Sequence, residues 1–190
     1  MRLWFDFVDP VSYVLELELC AVAPSLPHDV ERMGIELVAP PAPLTSIDDA
    51  LWSERFATAR PLANAKGVHL APPAIVPWTR KAHELHAHAI ELGRGEAVRL
   101  AIYEAYFGRG DDIGRIDRLV SIAGACGLDP SAARTVLGVD RHEEFVVSAR
   151  EAANATGVTD VPTLEVGGSL HRGFHNRDAL LTLLYSTPSP

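Results

Sequence analysis

F-D-F-V-D-P-V-S-Y-V, residues Phe5 to Val14, is the stretch on which the fold turns. An apolar run, L-W-F-D-F-V (Leu3 to Val8), reads as a strand covered on both faces. It stops at Asp9-Pro10, where Asp9 is a helix N-cap and Pro10 a first helical residue whose φ is already helical. The pattern then changes period. Ser12 to Ala23 places Val14, Leu15, Leu17, Leu19 and Val22 among polar positions, which predicts a helix closed by Pro24 and Pro27. Gly34 precedes I-E-L-V (Ile35 to Val38), a second predicted strand. The opening is therefore β-α-β, a parallel pair with a right-handed crossover.

The other end reads β-β-α. V-P-T-L-E-V (Val161 to Val166) is strand-like, Gly167-Gly168 marks a tight hairpin, and S-L-H-R returns. Asn176 to Tyr185 gives a final helix, and S-T-P-S-P reads as a loose tail. Between the ends the pattern is helical. Ser46-Ile47-Asp48 starts one helix that fades near Gly67, and a proline-marked loop, A-P-P-A-I-V-P-W, follows it. Thr79 is read as the cap of a helix ending near Gly93. Glu96 to Phe107 and Ile113 to Cys126 are further helices. Asp129-Pro130 repeats the cap of Asp9-Pro10, and Asp140 with Glu143 reads as a capping box. The expected architecture is α/β: residues 1–45 and 157–190 build one mixed sheet, and residues 46–156 form a helical insertion.

Composition limits the function. The chain has 190 residues, 47% of them hydrophobic, and a formal charge of −8, so no basic surplus exists to neutralise nucleic-acid phosphates. No apolar run is long enough for a membrane span, and no signal-peptide core follows Met1-Arg2. The expected compartment is the cytoplasm, with Cys20 and Cys126 as buried free thiols. Phosphate-loop, dinucleotide and nucleophile-elbow motifs are absent. A-H-E-L-H-A-H (Ala82 to His88) fails as a zinc-protease motif because Ala87 stands four residues beyond His83. His83 with His86, and Glu84 with His88, share helical spacing, but no metal ligand set is expected. His83 is read as the one histidine of that helix with a functional position.

The element order, with F-D-F-V-D-P-V-S-Y and G-V-T-D-V-P-T-L-E-V-G-G, resembles the DsbA family of the thioredoxin fold. The runs A-H-E-L, E-A-Y-F-G-R-G-D-D-I and A-G-A-C-G-L-D in the insertion are also similar. The resemblance is closest to the branch holding FrnE-like oxidoreductases, 2-hydroxychromene-2-carboxylate isomerases and kappa-class glutathione transferases. It implies that Pro162 is cis and faces the first helix's N-terminus, with the Val161 backbone pairing with an extended thiol substrate. It maps the redox C-P-x-C, and the S-P-x-S of the isomerases and transferases, onto Asp9-Pro10-Val11-Ser12.

Both redox cysteines are therefore missing, and dithiol exchange through this motif is chemically excluded. A carboxylate at a helix N-terminus takes the amide donors a thiolate would use and repels a second anion. Ser12 remains as a hydroxyl and Asp9 as a general base, so these two are the candidate catalytic residues. Pro10, Val161, Pro162 and His83 are the candidate substrate-binding residues. The residues specify no cofactor, and glutathione is the one the resemblance brings. The expected partner is a small-molecule substrate or a thiol peptide, and a homodimer is compatible. Two functions follow: a thiol- or glutathione-related isomerase or transferase with a deep pocket, or a degenerate binding module with an open cleft and Asp9 engaged in capping.

Overall fold

The structure, a computed structural model, describes residues 1–25 and 29–185, without the side chain of Leu184. Pro27 and the S-T-P-S-P tail lie outside the described residues. The main sheet has four strands in the order β2-β1-β5-β6, from Glu31–Gly34, Arg2–Phe5, Thr163–Val166 and Ser169–Arg172. Strand β1 pairs parallel with β2 and antiparallel with β5, and β5 turns back onto β6 through Gly167-Gly168. Helix α1 (Pro10–Val22) is the crossover between β1 and β2. This is the mixed thioredoxin-like sheet, assembled from both chain ends.

Alternation along β1 explains why its sequence is apolar throughout. Leu3 and Phe5 enter the large core beneath α1, while Trp4 joins Ile35, Ala149, Ala153, Val158 and Val161 on the opposite face. The strand is shorter than its apolar run. Phe7 and Val8 are fully buried but lie in the turn after it. Strand β2 runs over Glu31–Gly34 rather than Ile35–Val38. It is an edge strand with polar, half-exposed positions, so hydrophobicity pointed four residues too late. Gly34 is needed at its end, where an added Cβ would sit 2.1 Å from His83 Nδ1.

The middle of the chain contributes α2 (Ala50–Asn64), α3 (Arg80–Glu91), α4 (Gly95–Tyr103), α5 (Ile116–Ala125), α6 (Pro130–Gly138) and α7 (Glu143–Thr156), and α8 (Arg177–Tyr185) closes the chain. A π-helical turn at Glu104–Gly108 extends α4 and brings Phe107 onto Tyr13, with ring centroids 5.3 Å apart and planes 4° apart. This stack ties α1 to the helical middle. The middle also holds a short ladder, β3 (Thr45–Ser46) with β4 (Ile75–Val76), where a loop was expected.

Three caps differ from expectation. Helix α2 is capped by Asp49, not by Ser46 to Asp48. Thr79 sits at the N-cap of α3 without a capping bond, and its hydroxyl is buried without a partner. The Asp140–Glu143 box does not form, because both carboxylates bind α3 instead. Lys81 donates to Asp140, whose φ of 53° is left-handed, and Arg80 donates to Glu143. Among the described residues no helix is long and apolar enough to cross a membrane.

Candidate functional site

The turn after β1 delivers Asp9 to the start of α1 with an extended backbone, φ −85° and ψ 114°. Its Oδ2 accepts from both the backbone N–H and the hydroxyl of Ser12, each at 2.6 Å. Its Oδ1 accepts from Arg55 Nη1 of α2 at 2.9 Å. The carboxylate has no exposed surface. Burial pushes its pKa up to about 6, against the opposing pull of Arg55 and the Ser12 hydrogen bonds. Asp9 is thus a cap whose charge is compensated from another helix.

Arg55 reaches further than Asp9. Its Nη1 also donates to the Val161 carbonyl at 3.1 Å, and its Nη2 pairs with the Asp160 carboxylate. Asp160 Oδ1 in turn accepts from the Val161 N–H at 2.9 Å. The Val161–Pro162 peptide is cis. One guanidinium therefore links α1, α2 and the segment entering β5. Both backbone groups of Val161 are satisfied internally, leaving no free edge for an extended peptide.

Beside this clamp lies a half-open groove of about 380 Å³. Val11, Leu51, Pro162 and Phe174 supply apolar wall, Arg55 and Arg172 supply positive charge, and Glu54 and Asp160 supply negative charge, that of Asp160 being paired with Arg55. Among the described residues Arg172 has no ion-pair partner within 4.0 Å. Of the residues read from the sequence as substrate-binding, Val161 and Pro162 line the groove. Pro10, Asp9 and Ser12 do not; they lie buried beneath it. Asp9, read from the sequence as a general base, and Ser12, read as a hydroxyl donor, are each 0% exposed and bonded to the other.

His83 is also elsewhere. Its Nε2 lies 3.1 Å from Asp6 Oδ1, and its ring packs against Phe5 and Phe7. Asp6 spends its other oxygen on the Leu37 N–H at 2.7 Å. His83 thus packs behind the end of β1 and outside the groove. Sequence reasoning missed Arg55, Asp160, Arg172 and Phe174. The only signal was the preference for arginine over lysine, which suits multidentate carboxylate and carbonyl contacts.

The thiols offer no substitute for the missing cysteines. Cys20 and Cys126 are free and only partly buried, not fully buried as expected. Burial and the neighbouring Glu16 carboxylate push the Cys20 thiol up to about 11, and burial also raises Cys126. Neither lines the groove. No sulfur stands at the helix start, and the carboxylate there is sealed.

Comparison with known proteins agrees with the architecture. The DSBA-like thioredoxin domain matches residues 1–185. The uncharacterised protein YwbO of Bacillus subtilis is 26% identical over 183 residues, covering 94% of this chain and 92% of that protein. A probable DsbA oxidoreductase from Streptomyces coelicolor superposes with a TM-score of 0.85 at 23% identity, covering 100% of this chain and 91% of the other. A 2-hydroxychromene-2-carboxylate isomerase gives 0.78 at 21% identity, with 96% and 91% covered. The cytosolic disulfide reductase DsbM of Pseudomonas aeruginosa gives 0.70 at 17%, with 90% and 86% covered. At these identities the structures testify to fold alone. With the domain match spanning nearly the whole sequence, the chain belongs to the DsbA-like thioredoxin-domain family.

Proposed function

We propose that this protein binds a small, partly apolar acid in the groove beside Pro162 and carries out no dithiol–disulfide exchange. One observation carries the reading: the carboxylate standing where the family's first cysteine maps is fully buried, with Oδ2 held by Ser12 and Oδ1 by Arg55. A group in that state neither attacks a disulfide nor takes a proton from a ligand in the groove. The helix amide at Ser12 that would favour a thiolate is already bonded to a carboxylate, so glutathione activation has no donor left there. A thiol peptide is disfavoured too, because Val161 has neither backbone group free.

What remains suits a small ligand. The groove volume of about 380 Å³ lies in the range of small-molecule sites. Val11, Leu51 and Phe174 would cover an apolar body, and Arg172 would face its acidic group. The binding-module reading is therefore preferred to the isomerase or transferase reading, and the cytoplasm is the compartment we propose for it.

Thermal unfolding with glutathione and with a panel of aromatic carboxylic acids tests this. An acid that occupies the groove is expected to raise Tm by about 2–4 °C. Leu51→Asp and Arg172→Ala, both at exposed positions, should abolish the shift without lowering the unliganded Tm. Insulin reduction or glutathione conjugation above the uncatalysed rate would overturn the proposal. So would the absence of any shift across the panel.

A further inference from the structure

Far from the groove, the end of α3 meets the start of α7. His88 and Glu91 lie three residues apart in the last turn of α3, on one face of the helix. His142 stands at the N-cap of α7. One donor atom from each of the three lies within 4.8 Å of the others. His88 is 6% and His142 7% exposed, and their ring centroids are 5.9 Å apart. Both ring nitrogens of His88 and Nε2 of His142 are buried without a hydrogen-bond partner. Buried polar atoms are nearly always satisfied, so three orphaned imidazole nitrogens beside a carboxylate call for a ligand. We propose that His88, Glu91 and His142 bind a divalent transition ion of the zinc class.

The donor set fits that ion. Two imidazoles and one carboxylate are a known tridentate combination for zinc, leaving one position for water. Magnesium and calcium prefer all-oxygen shells, which this cluster does not offer. Tetrahedral bonds of about 2.0–2.1 Å place donor atoms about 3.4 Å apart, so the widest separation must contract by up to about 1.4 Å. Glu91 has room to move towards the histidines, because its side chain is 49% exposed and reaches His142 Nε2 at 3.8 Å. Its present competitor is Arg141, whose Nη2 lies 3.4 Å from Glu91 Oε2 and whose side chain is 56% exposed, free to swing aside. The expectation of no metal ligands came from reading α3 alone. The third ligand arrives from another helix.

The binding would pin the end of α3 to the start of α7, which the Arg80–Glu143 pair already joins to the other end of α3. The test is titration of the metal-free protein with Co²⁺, read by visible absorption, and with Zn²⁺ by calorimetry. One ion per chain and a tetrahedral Co²⁺ spectrum are expected. His142→Ala and Glu91→Gln should each weaken binding at least about tenfold. Glu91 is half exposed, so its variant isolates the ligand role from any folding defect, and circular dichroism checks both. The proposal is overturned if no saturable uptake occurs. It is equally overturned if Glu91→Gln binds as the unmodified protein does, since the ion would then sit elsewhere or on the histidines alone.

Discussion

The chain begins two helices with the same dipeptide, and the pair makes an internal control. Asp9-Pro10 opens α1 and Asp129-Pro130 opens α6, each with the carboxylate accepting a backbone N–H from a following serine. Asp129 is exposed, accepts from Ser131 at 2.9 Å, and stands in an ordinary connection. Asp9 is buried, accepts twice from Ser12, and is locked to Arg55. The difference teaches that local sequence specifies the cap, while elements distant in the chain decide its electrostatics. Arg55 lies 46 residues from Asp9, and the Val161 carbonyl it also holds lies 106 residues from Arg55.

The harshest way to break the comparison is to strip the compensation from one cap. Arg55→Met should cost about 3–5 kcal/mol in urea unfolding near neutral pH, because it leaves the Asp9 carboxylate buried and unpaired. A loss below about 1 kcal/mol would mean that Asp9 is no more dependent on its surroundings than Asp129 is.

Acidity offers the next largest effect. The unfolded carboxyl titrates near 3.9, whereas the folded one is raised to about 6. Between those values the native state binds the additional proton, so this group's contribution to stability falls as pH rises through the window from about 4 to about 6. The full swing is roughly 3 kcal/mol. Asp9→Asn keeps an acceptor for Ser12 but removes the titration. The stability difference between variant and unmodified protein should therefore move in the variant's favour from pH about 4 to about 6. Urea midpoints across that range measure it, and a flat difference would contradict the burial of the charge.

Milder changes sharpen the contrast. Asp129→Ala should cost only about 1 kcal/mol, the ordinary value of a lost N-cap. Cys20→Ser should change stability least, and insulin reduction should be absent with or without it. The raised Cys20 pKa adds a kinetic signature: alkylation near neutral pH should run on the order of a hundredfold slower than for a free thiol.

Much of the fold was legible because its signals are local. The β-α-β opening, the Gly167-Gly168 hairpin and both Asp-Pro caps follow from period, turn chemistry and capping. Strand β2 was misplaced because an edge strand buries too little to show an apolar pattern: Glu31 and Arg32 belong to it, whereas Ile35 only follows it. The Asp140–Glu143 box failed because tertiary salt bridges to Lys81 and Arg80 outcompeted a local cap. The meeting of Asp9 with Val161-Pro162 at one place was also legible. The state of that place was not. Nothing near Asp9 announces Arg55, and nothing in A-H-E-L-H-A-H announces that Asp6 claims His83 or that His142 faces His88.

The central claim is that Asp9 and Arg55 act as one buried unit at the start of α1. A double-mutant cycle of Asp9→Asn and Arg55→Met, followed by urea unfolding near pH 7, tests it most directly. A coupling energy of at least about 1.5 kcal/mol is expected for partners in one buried network. Additivity within about 0.5 kcal/mol would contradict the clamp and return Asp9 to the status of an ordinary cap.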